Sequence, residues 1–592
     1  MSKRTGFLLF LSILALGVFF RFYLITEIPL GLYPDEAMNG NNALEALVTG
    51  EFKVFYPENN GREGLFINIQ ALSVWFFGNE PWTLRLVSTV FGTLTILGLY
   101  LVARELFRGR SGTAASLATL GRRAGTTSEQ SEDEQGGHVS PKSALGILDG
   151  REDAGATWIA LLSSFFLSTS YWHLNFSRIG FRAIAVPFFA TFALYFLLRG
   201  LRTGKISSLV LAGVAMGLGL QTYIAFRFMP FVLAIPIVWY LWQWFKSDSN
   251  TRIHSNDTNK KCTPCAILLF LFITFVVALP IGYYFLQNPG DFLGRGGQVS
   301  IFSAESPLIE FVKSNVATLG MFFVRGDCNW RHNFNCQPEL HPLVAAFFLI
   351  GLAFTIRELF SKTIHYRLPT TGLLAWLIFM SFPTTLTREG LPHALRSIGM
   401  LPPVMILAGI GAWQSINWIL NWLEKNKFKW PEYAHQLLRI QREIVIFFIF
   451  VLLLMPLATY KNYFITWANS PNAYWAFATD TLHAGQYLKG LPPDTKKYVM
   501  VNLSGVEVRA IPMPAQTVMF VTDTFRAEER NKKNLFYLTR ENWQDQLKIP
   551  ENKKTVVVFL NGSKIELINA IRKEFPQLKP WVPSDFTILK NY

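Results

Sequence analysis

Leu65-Phe-Ile-Asn-Ile-Gln-Ala-Leu-Ser-Val-Trp-Phe-Phe77 is a short, largely apolar run, and its placement decides how the rest of the chain is threaded. A helix needs about 20 mostly apolar residues to cross the hydrocarbon of a bilayer. This one falls short. Eleven other runs read as spans: 7–27, 82–106, 156–176, 182–199, 206–223, 228–245, 265–286, 342–360, 369–383, 396–421 and 443–461. Counting 65–77 as a twelfth would put Arg104, Arg108 and Arg110 outside and invert every later loop. Laid flat at the outer interface instead, it leaves Arg108, Arg110, Arg122 and Arg123 in a cytoplasmic loop. Later cytoplasmic loops then hold Arg199, Arg202 and Lys205; Lys246, Lys260 and Lys261; Arg357, Lys362 and Arg367; and Lys425, Lys427 and Lys429. The rule that positive residues stay inside therefore selects eleven spans, with the N-terminus cytoplasmic and the C-terminus outside.

The expected fold is thus an α-helical polytopic membrane protein with a small extracytoplasmic α/β domain at its C-terminus. Only 16% of the residues are charged, against about 25% in soluble domains. The net charge of +15 does not point to nucleic acid, because the basic residues sit in short runs between apolar stretches. The first run follows Met-Ser-Lys-Arg and no small-residue cleavage site succeeds it, so it reads as a retained helix. Residues 109–155, rich in Gly, Ser, Thr and Glu, read as a disordered cytoplasmic insertion within a membrane domain of 1–461. Beyond 462 the short β-prone runs Lys497–Asn502, Thr517–Thr522 and Thr555–Leu560 alternate with helical stretches such as Ile565–Phe575. That alternation predicts an α/β domain over 462–592.

The external loop 287–341 predicts an interfacial helix over Pro307–Phe323. It also holds Cys328 and Cys336, for which a local disulfide and free thiols are both open in an oxidising compartment. Cys262 and Cys265 form a lone C-x-x-C and read as incidental thiols. His332, His341, Asp327 and Glu339 share the loop, but their spacing matches no standard metal site, so no metal and no other cofactor is expected.

The polar residues that carry chemistry gather where the membrane meets the outside. Pro29-Leu-Gly-Leu-Tyr-Pro-Asp-Glu-Ala-Met-Asn-Gly40 sets two acids, Asp35 and Glu36, a few residues beyond the first span. Ionisable groups near membrane depth are costly and mark reaction or transport paths, although an interfacial turn accommodates them too. Arginines recur on the same side, against the topology rule: Arg62, Arg178, Arg182, Arg227, Arg388 and Arg396. One alone can snorkel to the interface. Several facing an acidic pair make an anion site, since guanidinium forks bind phosphate oxygens in pairs.

Four passages resemble the GT-C glycosyltransferases that use polyprenyl-phosphate sugars, in particular the protein O-mannosyltransferases and bacterial lipid A aminoarabinose transferases. They are Asp35-Glu36, Arg62-Glu-Gly-Leu-Phe-Ile-Asn-Ile, Ser177-Arg-Ile-Gly-Phe-Arg-Ala and Pro392-His-Ala-Leu-Arg-Ser-Ile-Gly. The likeness runs over 7–461; Gly61-Arg-Glu-Gly stands where the family has Pro-Pro or Pro-x-Tyr-Tyr, which marks a divergent subgroup. The resemblance implies a sugar donor on a polyprenyl phosphate, inverting transfer, and a lipid, glycan or protein acceptor. It makes Asp35 the candidate base, with Glu36 orienting the loop or pairing with an arginine. Arg396, with Arg178, Arg182 and Arg227, would hold the lipid phosphate, and His393 and Glu389 would touch donor or acceptor. A transporter or flippase of lipid-linked sugars is the rival reading. Such proteins carry helix-breaking or charged groups near the midplane, often in two related halves. Here the charges collect at one face. A non-catalytic scaffold of the envelope is a third.

Overall fold

The computed structural model describes residues 2–108, 142–246, 262–360, 364–582 and 585–592. Each of the eleven apolar runs overlaps a helix, though several run past its end: α1 (Lys3–Phe22), α4 (Pro81–Phe107), α5 (Lys142–Thr169) with the short α6 (Tyr171–Ser177) after it, α7 (Ala185–Thr203), α8 (Ile206–Gly219), α9 (Met229–Lys246), α10 (Thr263–Gln287), α13 (Pro342–Leu359), α14 (Ile364–Phe379), α15 (Leu401–Lys429) and α16 (Ala434–Tyr460). Among the described residues, eight helical segments are long and apolar enough to cross a membrane. Helix α8 and the described apolar part of α5 are shorter. Most of the insertion read at 109–155 lies outside the described residues, but its last part, from Lys142, already belongs to α5.

The deciding run forms α3 (Gly64–Phe77), 14 residues long. At 1.5 Å per residue that is about 21 Å, short of a hydrocarbon core of about 30 Å. Its C-terminal half exposes Leu72, Trp75, Phe76 and Phe77, while Phe66, Ile67, Ala71 and Val74 are buried. An apolar face left open at one end of the bundle suits a helix lying in the interface. Pro307–Gly320 is likewise helical (α12), and α11 (Pro289–Val299) precedes it.

Membrane helices gain little from hydrophobic burial and associate by close packing, which favours small residues. Helices α13 and α15 show this. A Cβ on Gly351 would lie 1.9 Å from the Leu407 carbonyl oxygen, and one on Gly411 would lie 1.9 Å from that of Phe347. The two glycines let the backbones touch.

After α16 the chain runs through a π-helical turn, Lys461–Trp467, and enters the C-terminal region. Five strands, β1 (Lys496–Met500), β2 (Leu535–Leu538), β3 (Thr555–Phe559), β4 (Lys579–Trp581) and β5 (Thr587–Lys590), form a sheet of order β2-β1-β3-β5-β4. Strand β1 pairs parallel with β2 and β3, whereas β5 runs antiparallel to β3 and β4. Alternate residues face opposite sides. Val556 and Val558 pack with α17 (Thr479–Gly490) and α18 (Gln516–Thr522), and Val557 and Phe559 with α19 (Ile565–Glu574). The run Thr517–Thr522, expected as a strand, is therefore helix: every residue of α18 is buried, and the surrounding packing overrides its β-branched composition. Met38 of α2 (Pro34–Thr49) joins this core, so the sheet region sits directly on α2.

Candidate active site

Helix α2 begins with Pro34, whose fixed φ suits a first helical position, and Asp35 and Glu36 occupy its first turn, where the helix dipole favours negative charge. The two acids then part company. Glu36 is fully buried; it accepts from Arg85 Nε at 3.2 Å and Nη2 at 3.1 Å, and from the Gly180 amide at 2.5 Å. A Cβ at Gly180 would come within 3.2 Å of the Glu36 oxygen, so this approach calls for glycine. Arg85 further binds the carbonyls of Pro29 and Gly31, fixing the turn that feeds α2. Glu36 thus pairs with an arginine outside the external set, and it has no place among the reacting groups.

Asp35 faces a cavity of about 260 Å³, lined among others by Tyr33, Asn59, Arg62, Arg182, Arg331, His332 and His393. Asn59, Asn60 and Gly61 all have positive φ, of 53°, 63° and 77°. Asparagine and glycine tolerate this left-handed backbone best, and the tight turn brings Asn59 Nδ2 to 2.5 Å from Asp35 Oδ1. Arg62 turns inward and donates to Asn39 Oδ1 at 2.8 Å and Asn42 Oδ1 at 2.5 Å. Burial, with Arg182 nearby, lowers its pKa to about 10, which still leaves it charged at neutral pH. Arg182 pairs with Glu63 at 3.1 Å. The Arg331 guanidinium lies 3.7 Å from the centre of the Tyr33 ring, and its Nε donates to Asn329 Oδ1. Burial and the adjacent Asp35 push the Tyr33 hydroxyl above its ordinary pKa.

The other arginines of the sequence reading are spread around this cavity rather than in it. Arg178 is fully buried and donates to the carbonyls of Phe20, Arg21, Leu24 and Ile28, closing the C-terminal end of α1. Its charge is spent on backbone, so it is a structural group and not a phosphate ligand. Arg227 approaches Glu63 at 3.6 Å and covers the Phe292 ring, behind Arg182. Arg396 donates to Thr387 Oγ1 at 3.0 Å and to the Glu389 carbonyl at 2.8 Å, bracing its own loop. Arg388 and Glu389 are exposed on that loop.

His393 and His332 do line the cavity, with ring centres 5.0 Å apart. Behind them, Asp327 Oδ2 lies 2.8 Å from His332 Nδ1, accepts from the Ala394 amide and stands 3.9 Å from His393 Nδ1. Asp327, His332 and His393 have ligand atoms within 4.8 Å of one another, close enough to share a metal ion. His341, by contrast, caps α13 through its Nδ1. His332 is carried by a loop closed by the Cys328–Cys336 disulfide. Cys262 and Cys265, read as incidental thiols, are also joined.

Sequence reading missed Arg85, Arg331, Tyr33 and Asn59. Asn59-Asn60-Gly61 is a turn signal that the reading did not use, and Arg331 lies inside the cysteine-bounded loop. Nothing local tied either one to Asp35.

Comparison with known proteins bears on this geometry. Two models of the dolichyl-phosphate-mannose-protein mannosyltransferase family match residues 65–131 and 150–293. No curated protein matches the chain. Among solved structures, ArnT from Cupriavidus metallidurans bound to undecaprenyl phosphate is similar at a TM-score of 0.53 and 13% identity, covering 100% of this chain and 99% of that one. The same enzyme in its apo state gives 0.50 and 14%, again over 100% and 99%. By sequence, residues 65–131 and 150–293 are similar to the dolichyl-phosphate-mannose-protein mannosyltransferase family, and along its whole length the chain has a fold similar to that of ArnT.

Proposed function

We propose that this protein transfers a sugar from a polyprenyl-phosphate donor to an acceptor hydroxyl, with inversion, at the extracytoplasmic face of the membrane. The observation that carries the proposal is one cavity in which a carboxylate, Asp35, meets three guanidinium groups, Arg62, Arg182 and Arg331. Asp35 takes the proton of the acceptor hydroxyl as its oxygen bonds to the anomeric carbon. The bond from that carbon to the phosphate oxygen breaks, and the polyprenyl phosphate departs with the electron pair. Guanidinium groups offset the charge that grows on this leaving group. The step is routed through no metal. That the ArnT structure holds undecaprenyl phosphate supports the donor class. In this reading the membrane domain spans 1–461 with its N-terminus cytoplasmic. The domain 462–592 stands outside and braces α2, where Thr517 Oγ1 donates to the Leu32 carbonyl and Asn41 to Gln516.

The test is transfer by the purified protein in nanodiscs, supplied with a panel of polyprenyl-phosphate sugars and followed by release of polyprenyl phosphate. Asp35→Asn is expected to lower turnover at least about a hundredfold, since a positioned base contributes roughly 10²–10⁴. Unchanged turnover in that variant removes Asp35 from the mechanism. Movement of lipid-linked sugar across vesicles without release would support the transporter reading instead.

A further inference from the structure

A second cavity, of about 280 Å³, opens at the other side of the loop that carries His332. One wall is apolar, built from Phe166, Val344, Met405 and Met455; the opposite rim is polar, with Tyr171, Glu339, His341 and Asn462. Two of those polar groups are incomplete. Glu339 is 3% exposed; its Oε1 accepts from the Asp327 amide at 3.0 Å, while its Oε2 is buried with no partner among the described residues. The Tyr171 hydroxyl is also buried and partnerless among the described residues. Buried polar atoms are nearly always hydrogen-bonded, so an orphan pair lining one cavity points to an occupant. The π-helical turn that begins at Lys461 contributes Asn462, and such turns recur at functional sites.

The lining also defines what the occupant is. Among the described residues no lysine or arginine lines this cavity, so a phosphate would find no counter-charge from them there, unlike in the Asp35 cavity. Glu339 Oε2, unpartnered at the cavity, can accept hydrogen bonds from hydroxyls on a ligand. A tyrosine hydroxyl and an asparagine amide do the same. Hydroxyls on the ligand match that set, and the methionine-lined wall, adaptable in shape, accepts a flexible chain. We infer that this cavity binds an uncharged, hydroxyl-bearing head carried on an apolar chain, through Tyr171 and Glu339. The inference stands apart from the reaction proposed above, and its test does not use transfer.

The test is equilibrium binding of radiolabelled octyl glucoside to the full-length protein in nanodiscs. Expected is saturable binding that dodecyl maltoside displaces and octyl phosphate does not. Tyr171→Phe should weaken it at least tenfold, and Met405→Trp should abolish it by filling the apolar wall, both with thermal unfolding near that of the parent. Asp35→Asn should leave it unchanged. Non-saturable uptake in the parent would mean that water alone satisfies the orphan groups, and would overturn the inference. So would binding that survives Met405→Trp or is lost in Asp35→Asn, since the probe would then sit elsewhere.

Discussion

Glu36 and Arg85 meet at 3.1 Å with side chains 0% and 2% exposed, one residue from an Asp35 that faces an open cavity. Adjacent carboxylates thus serve opposite ends: one fixes the turn, the other is offered to a ligand. Removing one partner of a buried ion pair leaves an uncompensated charge, at about 3–5 kcal/mol. Arg85→Met is therefore expected to destabilise the protein by that order in thermal unfolding, and Glu36→Gln/Arg85→Met to recover part of the loss. Asp35→Asn should change stability little while removing transfer. A large stability loss in Asp35→Asn would show that both acids are structural.

A parallel contrast separates two arginines. Arg178 serves four backbone carbonyls from a fully buried position, so Arg178→Met is expected to cost at least about 3 kcal/mol. Arg331 lies across Tyr33 at the cavity. Arg331→Met should keep most of the stability and reduce kcat/KM for transfer about a hundredfold, as loss of one electrostatic stabiliser does. Arg331→Lys should rescue only part of it, because a lysine lacks the planar fork. Thermal melts and kinetics on the same preparations decide between the two patterns.

This contrast also marks how far the sequence could be read. Apolar runs located the helices, because membrane spans are dictated by length and hydropathy. The short run at 65–77 was legible, for the same reason, as a helix too short to span. The roles of the arginines were not. Arg178 binds carbonyls in residues 20–28, some 150 positions away, and no periodicity encodes that. Likewise, Asp327 and His332 are joined to His393 only by the fold, and the sequence offered His341 in its stead. The α18 segment failed for a different reason: Thr517-Val-Met-Phe-Val-Thr522 has strand propensity, but its burial on all sides against α2 and α17 favours helix.

The Cys328–Cys336 bond closes a loop that carries both Arg331 and His332. A cross-link over so few residues stabilises by roughly 2–3 kcal/mol in the loop-entropy account. The double variant Cys328→Ser/Cys336→Ser is expected to melt lower by that order and to lose transfer more than stability, since both cavity residues gain freedom. Reductant should reproduce the effect in the parent and leave the double variant unmoved. An equal response in both proteins would assign the effect to Cys262–Cys265.

Glu339 gives a pH dependence with a defined sign. Burial, with Asp327 nearby, raises its pKa well above the ordinary 4.5. A carboxyl whose folded value is raised is protonated more readily in the native state. Its contribution to stability is therefore complete below about 4.5 and is lost as pH rises from there through the folded value. Each unit of difference is worth about 1.4 kcal/mol. Glu339→Gln keeps the shape and the acceptor for the Asp327 amide but cannot ionise. Its stability relative to the parent should therefore improve steadily from about pH 5 to about pH 8, as read by denaturant or thermal unfolding in nanodiscs. A difference that stays flat over that range would show that Glu339 keeps an ordinary pKa, and that water or an ion reaches its second oxygen.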